Sequence, residues 1–337
     1  MANIQGPVLW DNAQPKLRLV GIARLAEMGE ACDSGHNVEF ATIPCRSLLN
    51  RVVSKMALPF AWSINPYRGC EFACKYCYAR YAHKYMEKDP ADFERKIYVK
   101  EHAAWLLQQE LRKVAADEGI AIGTATDPYQ PVERRQKLTR GVLEVLARSN
   151  GHKIGIVTKS NLILRDVELL QRIAERNTLR LHLTVTTTDT PLARKLEPRA
   201  PRPDLRLEAV RRLRAAGLDT GVLCCPVLPR ITDSHENLDA VVLAAKQVDA
   251  CFISANPVYF SESSLAVFMP FMREQFPQHL PYYEARFSAE HPYVPKLYAD
   301  QLRAKFLALC RKHGMLRRDE YEEWHPPVVQ EQMRLFA

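Results

Sequence analysis

Three cysteines, Cys70, Cys74 and Cys77, fall within eight residues of the stretch Asn65-Pro66-Tyr67-Arg68-Gly69-Cys70-Glu71-Phe72-Ala73-Cys74-Lys75-Tyr76-Cys77-Tyr78. Clustered thiolates bind metal, and as soft ligands they select zinc, copper(I) or iron-sulfur clusters. Zinc held structurally takes four protein ligands, and no fourth is local: the nearest histidine, His83, comes six residues after Cys77 at what reads as a helix start. The C-x3-C-x2-C spacing instead matches a four-iron cluster in which these thiolates hold three irons and the fourth iron keeps an open coordination position. A zinc knuckle or a redox-sensing group of cysteines is the alternative chemistry for the same three residues.

A metal loop needs a frame, and the flanking sequence supplies one. Phe60–Asn65 reads as a buried strand with the cysteine loop at its C-terminal end. After a helical stretch at Ala103–Val114, strands and helices alternate. Ile120–Ala125, Lys153–Thr158, Leu179–Thr187, Thr220–Cys225 and Ala250–Ser254 read as strands, and Arg140–Arg148, Asp166–Arg176, Leu205–Ala216 and Leu238–Val248 as helices. Gly151 and Gly217 sit where helix C-caps belong, each just before a strand. Such a series predicts a parallel sheet with right-handed crossovers. The fold class is therefore α/β, a partial (β/α)6 TIM-like barrel. Residues 1–58 read as an N-terminal extension with short helices at Leu17–Met28 and Arg46–Val53, 59–257 as the core, and 258–337 as a C-terminal helical region covering the barrel. The aromatic and proline-rich run Tyr259–Pro295 reads as core packing rather than base stacking, and Tyr298–His313 as an amphipathic helix.

Active sites of parallel sheets lie beyond the C-terminal strand ends, and polar residues gather at those ends here. Strand two runs into Thr124, Thr126 and Asp127, strand three into Lys159, strand four into Thr184 and Thr186, and strand five into Cys225. Only one of Cys224 and Cys225 can face the barrel interior, because successive strand residues alternate.

The 337 residues suffice for one large domain or two ordinary ones, and 47% hydrophobic with 26% charged residues is an ordinary globular balance that excludes disorder. No stretch is apolar enough to span a bilayer, and Met1–Gln5 lacks a secretory pattern, so a reducing cytoplasm is expected. An odd count of nine cysteines without an export signal favours metal or catalytic use over disulfides. Cys32, Cys45 and Cys310 read as inert thiols. The net charge of +8 permits a polyanionic partner, with arginines concentrated at Arg202, Arg206, Arg211, Arg212 and Arg214.

The cysteine spacing, with Tyr76 just before the last cysteine, resembles the signature of the radical S-adenosylmethionine (SAM) enzymes. Within that superfamily the stretch from about Pro59 to Pro229 is similar to the spore photoproduct lyase-like group, often labelled DNA repair photolyase-like. The matching phrases are the cysteine loop, Thr124 to Glu133 (TATDPYQPVE), Val157-Thr158-Lys159-Ser160, Leu196-Glu197-Pro198 and Arg206-Leu207. The resemblance implies a 4Fe-4S cluster on Cys70, Cys74 and Cys77, SAM on the open iron, and an external one-electron reductant. It implies Tyr76 along the adenine, Tyr78 assisting hydrogen-atom return, and Lys159 and Thr184 near SAM, with Thr124, Thr126 and Thr186 on the same rim. Asp127 binds the cofactor's ribose or amino group, or forms an Asx turn before Pro128. Glu197 and Arg206 position the carboxylate end, or pair with each other.

One departure stands out. The lyase's hydrogen-donor cysteine at the end of strand two aligns with Thr124, whose O–H bond is too strong to give a hydrogen atom as a thiol does. Cys225 is the replacement if it faces the mouth. The expectation is a monomeric, membrane-free radical SAM enzyme acting on DNA or RNA. The alternatives are the same chemistry on a protein or small metabolite, or a non-enzymatic iron-sulfur or zinc protein.

Overall fold

The structure, a computed structural model, describes residues 19–35, 37–53, 58–115 and 117–324. The main sheet contains β3 (Leu49–Arg51), β4 (Trp62–Ile64), β7 (Gly119–Ile122), β8 (Lys153–Thr158), β9 (Thr178–Thr184), β10 (Thr220–Val227) and β11 (Ile253–Pro257), ordered β11-β10-β9-β8-β7-β4-β3. The six strands from β4 onward run parallel, and β3 lies antiparallel on the edge. Edges β3 and β11 do not pair, so the barrel is open.

Alternation along β8 shows how the sequence makes this sheet. Ile154, Ile156 and Thr158 are buried toward the helices while Lys153, Gly155 and Val157 turn to the other face. Ile64, Ile122, Ile156, Leu181, Leu183, Val185 and Val222 face the helical layer, made in part by the helices Leu138–Leu146 and Val167–Ala174. Each such side chain, fully buried, contributes about 2 kcal/mol. Gly217 follows the helix Pro203–Ala215 with φ 78, and the bond from Leu218 N to Leu213 O closes the helix as expected of a glycine cap.

A second sheet, β1-β2-β6-β5, comprises β1 (Ala31–Gly35), β2 (Val38–Ile43), β6 (Lys96–Lys100) and β5 (Tyr67–Arg68). Its strands are short and their hydrophobic patterns weak, so the sequence reading passed over them. The reading of Arg46–Val53 as helix is corrected: Leu49–Arg51 is strand β3, registered on β4 through Leu49↔Ile64 and Arg51↔Trp62. The reason is tertiary, because the backbone N–H groups of Leu48 and Leu49 donate to the buried carboxylate of Glu110 at 2.8 and 2.9 Å. The first helix runs Gly21–Glu27, and residues 17–18 of the predicted one lie outside the described residues.

Beyond β11, the helices Glu262–Gln275 and Leu280–Arg286 bring Phe268, Phe271, Tyr283 and Phe287 into one apolar cluster with Cys70, Phe72, Cys74 and Tyr76. This C-terminal region therefore packs directly on the cysteine loop. Lys296–His313 forms the expected long helix against β11.

Candidate cofactor site

The cysteine loop leaves the main sheet at Asn65 and enters the second sheet as β5, where Tyr67 pairs with Val99. Gly69 then turns the chain with φ 83. A Cβ there would lie 2.8 Å from Phe93 O and 2.9 Å from Lys96 O, so no other residue fits without moving backbone. Cys70 N donates to Phe93 O at 2.9 Å, Lys75 N to Leu196 O at 2.9 Å, and the guanidinium of Arg80 to Cys74 O at 3.2 Å. Arg80 is fully buried and paired with Glu94, which places a fixed cation beside Cys77.

The strand-two loop braces the same turn. Thr126 Oγ1 donates to Gly69 O at 2.6 Å, and Gln130 Nε2 donates to that carbonyl at 3.3 Å and to Thr126 Oγ1 at 3.0 Å. Gln130 Oε1 accepts from Glu71 N at 3.0 Å, and Glu71 Oε1 accepts from Val132 N at 2.7 Å. Asn65 ties Thr124 and Ala125 to the end of β4 through its amide. The phrase TATDPYQPVE thus acts mainly as the buttress of the thiol loop.

The three thiols sit in an apolar setting. Cys70 and Cys74 are buried and Cys77 is half-buried. Burial pushes all three thiols up, Cys74 to about 12, against the pull of the Lys159 ammonium on Cys74. Buried thiols do not ionise readily by themselves, and a metal that replaces the protons relieves this. Among the described residues no three His, Cys, Asp or Glu side chains gather as ligands of one metal ion. His83, the nearest histidine, has Nε2 against Lys96 O at 3.0 Å. The donor set therefore fits a multi-iron group with one thiol per iron better than a four-coordinate zinc.

Beside the thiols stands a buried polar group. Glu197 accepts from the Tyr76 hydroxyl and from Thr186 Oγ1 at 3.3 Å, and pairs through Oε2 with Arg206 Nη2 at 2.5 Å. Arg206 also donates to Pro201 O at 2.7 Å and Thr184 O at 3.1 Å. Burial opposes the Glu197 charge, but Arg206 and Lys159 outweigh it and hold the carboxyl below its usual range. The Lys159 ammonium lies 5.7 Å from the Tyr76 ring centre. Burial works against that charge too, yet Cys74 and Glu197 keep it above the ordinary lysine value.

The structure brings the sequence-predicted residues together in two groups. Tyr76, Lys159, Thr184, Thr186, Glu197 and Arg206 converge beside Cys74, with Glu197 and Arg206 paired to each other. Thr124, Thr126 and Asp127 are engaged in loop architecture. Asp127 accepts from Thr158 Oγ1 at 2.6 Å, Tyr129 N at 2.9 Å and Lys159 N at 2.8 Å, so it forms the Asx turn and also fixes the backbone of Lys159. Cys224 points into the helical core, whereas Cys225 is half-buried on the other face within the field of Lys159. Burial pushes the Cys225 thiol up to about 11.

Tyr78 begins a row the sequence reading did not assemble. Its ring lies 6.4 Å from both Tyr81 and Tyr259, Tyr81 is 5.7 Å from Tyr85, and Tyr259 is 4.9 Å from Tyr293. Four of these rings are exposed, from 38% at Tyr259 to 67% at Tyr85. The arginine cluster, in contrast, is not one groove. Arg206 is buried, Arg202 pairs with Asp204, Arg211 with Glu208, and Arg214 donates to Asp249 O.

Residues 64–241, the segment that holds this loop and its polar neighbours, match the Radical SAM superfamily. The chain belongs to the radical SAM superfamily. It is thus a radical SAM enzyme, whose cofactors are a 4Fe-4S cluster and SAM and which needs an external reductant. An uncharacterized protein of Mycobacterium tuberculosis is 33% identical over 314 residues, 93% of this chain and 91% of the relative. Another from Methanocaldococcus jannaschii is 30% identical over 170 residues, 50% of this chain and 61% of that protein. Among solved structures, a cysteine-to-serine variant of spore photoproduct lyase superposes with a TM-score of 0.60 at 16% identity, over 81% of this chain and 79% of the lyase. The lyase complexed with dinucleoside spore photoproduct gives 0.60 at 15% identity over the same shares. At those identities the likeness is one of fold.

Proposed function

We propose that this radical SAM enzyme acts on single-stranded nucleic acid, with a base held against the tyrosine row beside the cysteine loop. The single observation that carries the reading is that row. Tyr78, Tyr81, Tyr85, Tyr259 and Tyr293 offer adjoining rings, mostly exposed, that start next to Cys77. Flat apolar rings on a chain of net charge +8 suit bases and backbone phosphates together.

Cys70, Cys74 and Cys77 would hold the cluster, which together with bound SAM would supply one-electron, hydrogen-atom-abstracting chemistry at the substrate. Tyr76 would present its face to the adenine, fixed by its bond to Glu197. Lys159 offers a donor to the polar end of SAM, while Thr184, Thr186, Glu197 and Arg206 hold that wall rigid. Thr124, Thr126 and Asp127 act by positioning the loop and the Lys159 backbone. The packed aromatic cluster of the C-terminal region excludes water from the thiol side.

Thr124 cannot return a hydrogen atom, and Cys225 presents a weak S–H bond on the mouth face of β10. Its S–H would break to give a C–H bond on the substrate radical and a thiyl radical on the protein. Tyr78, whose hydroxyl donates to Thr124 O, is the assisting phenol. The reaction is then lyase-like in its cofactor chemistry and distinct in its hydrogen donor.

Fluorescence anisotropy with labelled single-stranded oligonucleotides tests the substrate class. Each lost ring is worth about 1–3 kcal/mol in stacking, so Tyr85→Ala with Tyr259→Ala should weaken binding roughly thirtyfold or more. Deuterium transfer from labelled oligonucleotide into 5′-deoxyadenosine then reports the chemistry. Equal binding by wild type and the double variant, or no binding at physiological salt, would move the substrate to another class.

A further inference from the structure

The two faces of the second sheet differ where β5 meets β6. Tyr67, Ile97 and Val99 turn to one side and pack in an apolar cluster with Val38 and Phe40. Arg68, Tyr98 and Lys100 take the other side, because Arg68 registers on Tyr98 and alternate strand residues share a face. Arg68 and Lys100 are therefore diagonal neighbours across an antiparallel pair, close enough for long side chains to meet. Two cations so placed repel each other.

Among the described residues, neither the Lys100 ammonium nor the Arg68 guanidinium has a hydrogen bond or an ion pair. Lys100 is only 4% exposed, and Arg68 is half-buried with its Nε enclosed. The terminal nitrogens of Arg68 and Lys100 Nζ keep accessible surface, so a ligand can reach them. Glu110 is the carboxylate whose charge acts on Lys100, and it is already engaged. Its Oε2 accepts from Leu48 N at 2.8 Å and Leu49 N at 2.9 Å, and its Oε1 lies 3.5 Å from Lys113. Cys45, also in range of Lys100, donates its thiol proton to Glu101 O at 3.3 Å. Burial and then Arg68 pull the Lys100 ammonium down to about 8, against Cys45 and Glu110. A buried ammonium without a counter-charge is costly, and an anion between the two cations would remove that cost.

The pair adjoins the tyrosine row. The charge of Arg68 acts on Tyr81, whose ring lies 6.4 Å from Tyr78 and 5.7 Å from Tyr85. We propose that Arg68 and Lys100 form a phosphate subsite beside this row, which takes one backbone phosphate of a bound single strand and so sets which base lies on Tyr78, next to Cys77. The inference rests on the nucleic-acid reading of the row. The planar fork of Arg68 matches two phosphate oxygens, and Lys100 adds a point charge. Stacking alone tolerates any base and lets a strand slide along the rings. A fixed phosphate gives the strand a register.

Fluorescence anisotropy of a labelled oligothymidylate with the full-length, oxygen-free holoenzyme, over a series of salt concentrations, reads the subsite. Lys100→Met keeps the side-chain length and removes an unpaired buried charge, so it should resist urea at least as well as wild type. Arg68→Gln is the second variant, with its iron content measured because it adjoins the cysteine loop. Each should weaken binding roughly tenfold. The double variant should make the slope of log affinity against log salt shallower by about 0.7, the loss of one phosphate contact and not two. Tyr85→Ala with Tyr259→Ala should lower affinity at an unchanged slope. Thermal melting with inorganic phosphate, against a chloride control, is the second arm. Oligonucleotide binding with the same affinity in wild type and Lys100→Met overturns the subsite and leaves the nucleic-acid reading standing. If wild type binds no oligonucleotide, that reading fails. Stabilisation by phosphate that Lys100→Met loses would then assign the subsite to a free phosphate compound, and no effect of phosphate would overturn the subsite as well.

Discussion

Glu197→Gln isolates the electrostatic centre of the site. Both side chains of the Glu197–Arg206 pair are essentially removed from solvent, at 0% and 1% exposure, with 2.5 Å between Oε2 and Nη2. Glutamine keeps an oxygen for the Tyr76 hydroxyl and Thr186 but leaves the guanidinium without its counter-charge. Breaking one half of a buried pair costs about 3–5 kcal/mol, most of it the stranded charge. Arg206 also holds Pro201 O and Thr184 O, which a glutamine leaves intact, so the lower figure of about 3 kcal/mol applies. Arg206→Met strands the carboxylate instead, although Lys159 remains to compensate in part. In the double variant neither charge is left alone, so the two losses should fail to add by about 2 kcal/mol. Urea titrations of the four proteins, all metal-free and reduced so that they unfold from the same state, measure that coupling. Strict additivity would refute the idea that the pair is a unit.

Two further outcomes follow from other parts of the frame. Gly69→Ala puts a methyl group against Phe93 O and Lys96 O on a backbone with φ 83, so the variant should stay folded by circular dichroism but lose most of its iron on reconstitution; full iron content would show that the turn adapts. Burial holds His83 neutral down to about 4 and His182 down to about 3. An unfolded histidine takes up its proton near 6.5, so the unfolded state binds more protons between these values and stability falls as pH is lowered. Above pH 6.5 the contribution is complete. From about pH 6 to 5 the two residues together should remove roughly 2–3 kcal/mol, and a flat stability across that window would contradict their buried, neutral state.

The legible part of this protein was its periodicity and its thiols. The strand series from Ile120 onward, the cap at Gly217 and the open parallel sheet follow from local patterns with spacing of two and near four. What escaped depended on distant partners. Leu49–Arg51 becomes strand because Glu110, about sixty residues on, takes the backbone N–H groups before it. The second sheet is assembled from strands as short as Tyr67–Arg68, too brief to show a period. In the site, Cys70, Cys74 and Cys77 announce themselves by spacing. The roles of Gln130, Glu71 and Arg80 as struts of the loop need three-dimensional contacts, although the phrase TATDPYQPVE already singled out Gln130. The tyrosine row joins Tyr78 to Tyr259 and Tyr293 across the whole core, a juxtaposition no local pattern carries.

The most direct measurement is anaerobic reconstitution with iron and sulfide, followed by chemical reduction in the presence of SAM and quantitation of 5′-deoxyadenosine. Wild type should carry about four irons and a 4Fe-4S spectrum and release 5′-deoxyadenosine, while Cys70→Ala, Cys74→Ala and Cys77→Ala should each lose it. A wild-type preparation holding only zinc, or a Cys74→Ala variant that cleaves SAM as well as the parent, would contradict the assignment of these three thiols.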